Sequence, residues 1–247
     1  MKTCLIIQLR PEDETADNEF EAILKYSELK ENEVTRLRAE KTGLGQIDLS
    51  DHFAIIVGGS PFDVSTPEAE KNTIQKQIEQ EFTTLFAEVI KQDFPFLGAC
   101  SGNGQLGKYL GGHISRKYPE PVGGTDIFIT PAGQQDKLLV GFPEKIRVLL
   151  GHKEACDETP PKAVLLATNE ACPVQMFRVG ENVYSTQFHP EADPKGFITR
   201  INIYKHHGYF PANTASELIN LVKDEHTPEA QEILRRFISH YRPDTLN

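Results

Sequence analysis

Positive charge is scarce in this 247-residue chain: 26 lysines and arginines face 36 aspartates and glutamates, for a formal net charge of −10. Phosphate backbones are bound by concentrated basic surface, and none is visible here, so the sequence argues against a general nucleic-acid partner. Long apolar runs are missing too. No stretch approaches the roughly 20 residues that span a bilayer, so no membrane-embedded segment is expected. The N-terminal Met1-Lys2-Thr3-Cys4-Leu5-Ile6-Ile7 has too short an apolar core and no small-residue cleavage site for a signal peptide, which points to the cytoplasm. Cysteine is limited to Cys4, Cys100, Cys156 and Cys172, with no Cys-x-x-Cys pair and no histidine at zinc spacing. That excludes a disulfide framework and gives no reason to expect a metal. The adjacent His206 and His207 point in different directions on a helix and lack a carboxylate motif, so they are not read as ligands either.

What is present is an ordinary globular composition, 38% hydrophobic and 25% charged, of a size that α/β folds fill as one domain. A buried strand is expected over residues 2–9, a helix over 17–29 with Phe20, Ile23 and Leu24 on one face, and a more exposed strand over 34–38. Residues 53–57 are fully apolar, as in a central parallel strand, and end at Gly58-Gly59-Ser60-Pro61. Such strand ends are where open α/β sheets hold ligands. Thr66 as cap and Pro67 as first helical residue predict a helix to Gln92, with Ile74, Ile78, Phe82, Leu85, Phe86 and Val89 on its core face. After Gly112, short segments at 124–130, 145–150, 163–167, 174–179 and 183–188 read as antiparallel strands. Helices resume at Pro194, break at Tyr209-Phe210-Pro211 and end with one over 227–241. The expected architecture is α/β: an open, mostly parallel sheet flanked by helices, with additional antiparallel strands. Residues 1–247 form one domain, with a core over about 1–192 and a C-terminal helical extension over about 193–247.

Two segments carry chemistry. Phe96-Leu97-Gly98-Ala99-Cys100-Ser101-Gly102 reads as strand, sharp turn and helix, with Cys100 at a nucleophile elbow. The helix dipole there favours thiolate over thiol. A free cysteine is also commonly a small buried hydrophobe, and Cys100 alone is open to both readings. The second segment is Gln187-Phe188-His189-Pro190-Glu191. Pro190 keeps His189 extended, and residues two apart in an extended chain point the same way, which puts the His189 ring and the Glu191 carboxylate on one side.

Gly-Ala-Cys-Ser-Gly followed at this distance by Gln-Phe-His-Pro-Glu resembles the class I glutamine amidotransferases, nearest the glutaminase domain of GMP synthase, over roughly residues 2–191. The resemblance implies their flavodoxin-like fold. It also implies a catalytic triad of Cys100, His189 and Glu191, an oxyanion hole from the N–H groups of Gly59 and Ser101, and Gly58 beside the substrate. No cofactor is implied. The family pattern has glutamine four residues after the cysteine; here that position is Gly104 and the glutamine is Gln105, turned by about 100° on a helix. Leu150-Gly151-His152-Lys153-Glu154 resembles a Ser-His-Gly-Asp stretch of GMP synthase. His152 there borders the substrate pocket or is a surface-loop histidine.

The function implied is hydrolysis of the γ-amide of L-glutamine to glutamate and ammonia through a cysteine thioester. No Ser-Gly-Gly-x-Asp-Ser loop of a synthetase is present, so any ammonia acceptor is expected on a separate partner protein, or there is none. The missing synthetase and the shifted Gln105 also favour a γ-glutamyl amide or peptide hydrolase with the same triad. A third reading is a non-catalytic binding or regulatory protein.

Overall fold

The computed structural model describes residues 2–206 and 210–243, so His207 and Tyr209 lie outside the described residues. In chain order the elements are β1 (Thr3–Gln8), α1 (Asp13–Ser27), β2 (Val34–Arg38), α2 (Ala39–Thr42), β3 (His52–Val57), α3 (Thr73–Gln92), β4 (Phe96–Ala99), α4 (Ser101–Tyr109), β5 (Ile114–Ser115), β6 (Glu120–Ile129), β7 (Lys145–His152), β8 (Ala155–Cys156), β9 (Val164–Thr168), β10 (Met176–Val179), β11 (Val183–Thr186), α5 (Pro194–Tyr204), α6 (Ala215–Val222) and α7 (Pro228–Tyr241). Nine strands form one sheet in the order β2-β1-β3-β4-β11-β10-β9-β6-β7, and β5 pairs with β8 apart from it. Pairing is parallel from β2 to β11 and antiparallel beyond. The architecture is thus the mixed, mostly parallel α/β sheet expected from the sequence.

The central strands are apolar on both faces because both faces are covered. Cys4 and Ile6 of β1 and Ala54 and Ile56 of β3 join a core with Ile23 of α1 and Ile233 and Phe237 of α7. The alternate residues Leu5, Ile7, Ile55 and Val57 face Ile78, Phe82, Phe86 and Val89 of α3. This is the two-residue alternation of a strand meeting a helical stripe on each side. Each of the Leu, Ile, Val and Phe side chains among them contributes about 1.5–3 kcal/mol on burial. Among the described residues no helix is long and apolar enough to cross a membrane.

Two helix starts differ from expectation. Asn72, not Thr66, caps α3: its side chain accepts from the Gln75 N–H at 2.8 Å. Thr66 and Pro67 belong instead to successive turns closed by Thr66 N–H to Asp63 O and Glu70 N–H to Pro67 O, because a proline fixes φ for a turn as readily as for a first helical turn. Helix α1 begins at Asp13, with Asp13 and Glu14 in the first turn where the helix dipole favours them.

From β1 the chain builds β2 on one side and then crosses to β3 on the other. That reversal opens a crevice at the C-terminal strand ends, where Arg10, Gly58-Gly59, Cys100 and His189 follow β1, β3, β4 and β11. The crevice depends on α4 lying close to β4. A Cβ at Gly98 would sit 2.9 Å from the Gly102 carbonyl carbon. Gly98→Ala is expected to lower stability by roughly 1–3 kcal/mol, seen as a lower urea midpoint at unchanged m; an unchanged midpoint would contradict this packing.

Candidate active site

Cys100 has φ 52° and ψ −92°, a conformation that costs a residue with a Cβ about 1–3 kcal/mol and that persists only where surrounding structure enforces it. Here the enforcement is double: Cys100 N–H donates to Thr186 O at 2.8 Å, and Cys100 O accepts from Asn103 N–H at 3.0 Å in the first turn of α4. The side chain is thereby presented above the strand ends, as in a nucleophile elbow. Burial pushes the thiol up to about 12; the Arg10 guanidinium acts in the opposite sense, while Glu191, Glu154 and Asp63 add to the rise. Desolvation and three nearby carboxylates thus act against the thiolate that the helix end favours.

His189 follows the end of β11 and is fixed by its N–H to Leu149 O at 3.0 Å. Its Nδ1 lies 2.9 Å from Glu191 Oε1, which also accepts from Arg200 Nη2 at 3.1 Å. Burial would raise Glu191, but His189 and Arg200 prevail and hold the carboxylate well below its usual range. An ionised Glu191 assigns the hydrogen to Nδ1 and leaves Nε2 with its lone pair. Burial lowers His189, against the pull of Glu191, so a neutral imidazole is the resting form. Phe197 meets the ring edge-on at 5.7 Å between centroids.

Neither glycine N–H of the β3 loop is open to a ligand. Gly58 N–H closes onto Ile7 O at 3.0 Å, and Gly59 N–H donates to Glu19 Oε2 at 3.1 Å. This corrects the expectation of Gly59 as a ready oxyanion donor. The fully buried Glu19 carboxylate also accepts from Arg10 Nε at 2.5 Å and Gln8 Nε2 at 3.2 Å, and it draws the loop toward α1. A Cβ at position 59 would lie 2.3 Å from Arg10 Nη2 and 2.8 Å from His189 Cε1, so only glycine fits between them. Ser101 opens helix α4, where the first N–H groups have no intrahelical acceptor.

Cys100 and Ser101 line a cavity of about 580 Å³ together with Gly104, His152 and Glu154. Gln105 is not among its walls. One residue further round α4, it lines a separate cleft with Glu79 and Lys108, which corrects its candidacy as a substrate ligand: the rotation of about 100° per residue carries it off this face. Position 104 does face the cavity, and a Cβ there would lie 3.3 Å from Glu154 Oε1. Glu154 accepts from the Val64 and Ser65 N–H groups, both at 2.7 Å, and burial raises its carboxyl.

His152 is a buried strand end, not a surface-loop residue. Both ring nitrogens are engaged, Nε2 with Glu120 Oε2 at 2.9 Å and Nδ1 with Glu154 O at 3.0 Å, so the ring acts on the cavity through its position. Ligand atoms of Glu120, His152 and Cys172 converge within 4.8 Å, a grouping made by the fold and invisible in residue spacing. Asn169 and Gln175 already donate to that Glu120 carboxylate at 2.9 and 2.5 Å. Cys156 is a buried residue of β8.

A family profile described as glutamine amidotransferase class-I matches residues 16–202. The chain belongs to the class I glutamine amidotransferase family. Among relatives of this amidotransferase, one of the subunits of the glutamine-hydrolyzing GMP synthase of Pyrococcus abyssi is 34% identical over 151 residues, covering 61% of this chain and 72% of the relative. The corresponding protein of Methanobrevibacter smithii is 28% identical over 174 residues, covering 69% and 82%. The glutamine-hydrolyzing GMP synthase of Borrelia garinii is 26% identical over 160 residues, but the match spans only 28% of its length. Among solved structures, a glutamine amidotransferase from Thermotoga maritima superposes with a TM-score of 0.77 at 21% identity over 98% of both chains. One from Methylobacillus flagellatus gives 0.71 at 16% identity over 99% and 97%; both share the fold.

Arg10, Glu19 and Arg200 escape the sequence reading of this amidotransferase because each is a single charge outside any motif. One signal was available: Glu19 interrupts the buried stripe of α1 between Ala16, Ala22 and Ile23, and carboxylates are rarely fully buried unless paired. The raised thiol makes a further prediction. Because thiolate is the minor form below the pKa, alkylation of Cys100 by iodoacetamide should rise about tenfold per pH unit between about pH 7 and pH 10 without a plateau. Mass spectrometry separates this site from the buried Cys4, Cys156 and Cys172; a plateau near neutrality would contradict the assignment.

Proposed function

We propose that this amidotransferase hydrolyses the γ-amide of L-glutamine through a thioester on Cys100. The observation that carries the reading is the buried His189–Glu191 hydrogen bond of 2.9 Å, held on the strand beside the strained Cys100 elbow. A neutral imidazole with a free Nε2 is the base that a protonated thiol requires. His189 takes the Cys100 proton as sulfur attacks the γ-carbonyl, and passes it to the departing nitrogen. Water, deprotonated by the same ring, then cleaves the thioester and releases glutamate. Glu191 keeps the imidazole in the working tautomer and stabilises its charged form. Ser101 N–H is one oxyanion donor. Gly59 N–H is the second once it leaves Glu19, a rearrangement suited to a loop that closes on substrate.

Relatives named as one component of a glutamine-hydrolysing GMP synthase support an ammonia acceptor on a separate protein. A second reading keeps the triad and takes γ-glutamyl amides or peptides. Gln105 lies outside the Cys100 cavity, whose wall instead carries Glu154, and that favours the second reading over a regulatory role without catalysis.

Purified protein given L-glutamine should release glutamate and ammonia in equal amounts. Cys100→Ala should abolish release, and Glu191→Gln should lower kcat on the order of 10³-fold or more with little change in far-UV circular dichroism. Equal activity of Cys100→Ala and the unaltered protein would refute the nucleophile.

A further inference from the structure

Behind the imidazole lies a second, smaller cavity of about 60 Å³, lined by Arg10, His189, Phe197, Arg200, Ile201 and Tyr204. Val122, Gly151 and Phe210 line both this annex and the Cys100 cavity, so the two adjoin. Cys100 opens on the larger space and His189 on the smaller.

Two guanidinium groups line the annex, each paired with one buried carboxylate, and that of Arg200 is incompletely satisfied. Arg200 has a side chain only 8% exposed. Its Nη2 is bound to Glu191, while Nε and Nη1 have no partner among the described residues. Arg10 stands on the same small cavity, with its Nη2 close against Gly59, its Nε held by Glu19 and its Nη1 donating to the Tyr204 hydroxyl at 3.3 Å. Buried guanidinium donors without acceptors are unfavourable, and an acceptor carrying negative charge corrects this best. Its volume suits a carboxylate group rather than a larger anion such as a nucleotide phosphate chain.

The position of the annex selects which part of a substrate reaches it. The departing nitrogen must meet His189, which gives it a proton, so whatever that nitrogen carries extends past the imidazole, toward the side on which His189 opens. We propose that the annex binds a carboxylate carried by the leaving amine, making γ-glutamyl amino acids, rather than free glutamine, the preferred substrates. The inference rests on the thioester chemistry proposed above. The step balances as an acyl transfer: the Cys100 sulfur bonds to the carbonyl carbon of the γ-amide, the amide C–N bond breaks, and the thiol proton moves through His189 Nε2 to the nitrogen. The amino acid leaves with its carboxylate on the annex, and water then restores the thiol and frees glutamate.

Two γ-glutamyl amides of matched size separate this site from general amide binding: γ-glutamylglycine, which carries the carboxylate, and γ-glutamylethylamide, which does not. Binding to the Cys100→Ala protein, measured by calorimetry, should favour the dipeptide by roughly 10- to 100-fold, the range for a charge-assisted hydrogen bond. In Cys100→Ala carrying Arg200→Lys as well, that ratio should shrink several-fold, whereas a purely structural role for Arg200 would weaken both ligands equally. Equal affinity for the two amides, or preference for the ethylamide, overturns the annex assignment. Turnover by the unaltered protein is scored separately. Glutamine hydrolysis without a dipeptide preference leaves the thioester reading standing and removes the annex. A dipeptide preference in binding without Cys100-dependent turnover does the reverse.

Discussion

Parallel pairing of β4 with β11 is the constraint on which the site depends. It aligns Ala99 with Thr186, so that the next residue of one strand and the third residue beyond the other emerge at the same sheet edge. Cys100 N–H then bonds to Thr186 O, and the same contact that continues the ladder enforces the positive φ of the elbow. A shift of one residue in this register would reverse the faces of the whole strand.

Above this edge the structure concentrates charge that is almost fully withdrawn from water. Glu19 binds Arg10, and Glu191 binds Arg200 and His189. Buried ion pairs contribute little net stability because desolvation offsets attraction, but removing one member leaves an uncompensated charge. Their value here is positional. Glu191, held by Arg200, fixes the tautomer of His189 and so holds a neutral imidazole in one orientation, while Glu19, held by Arg10, keeps the Gly59 N–H turned away from the cavity.

Much of the framework is legible in the residues themselves. Alternating and continuous apolar runs locate the strands, helical stripes locate α1, α3 and α7, and the elbow and Gln-Phe-His-Pro-Glu strings identify the family. Local rules fail where two local conformations have similar energy. Thr66-Pro67 fits a helix start or a turn, and the choice fell to Asn72, whose side chain supplies the actual cap. The Cys100 thiol fails as a local prediction for another reason: its ionisation depends first on burial and then on Arg10, Glu191, Glu154 and Asp63, contributed by separate segments.

The sequence alone determined the order and type of the main elements and the position of the cysteine turn, because these follow from periodicity and backbone geometry within a few neighbouring residues; His189 meets Glu191 across a turn closed by Ala192 N–H to His189 O, not along the extended chain the sequence suggested. Tertiary structure decided what those groups can do. It placed Arg200 on Glu191, gave Gly59 N–H to Glu19, turned Gln105 out of the cavity and buried His152 against Glu120. Each of these is a contact between distant segments, in which desolvation and the location of a single opposite charge outweigh any preference written in the local chain.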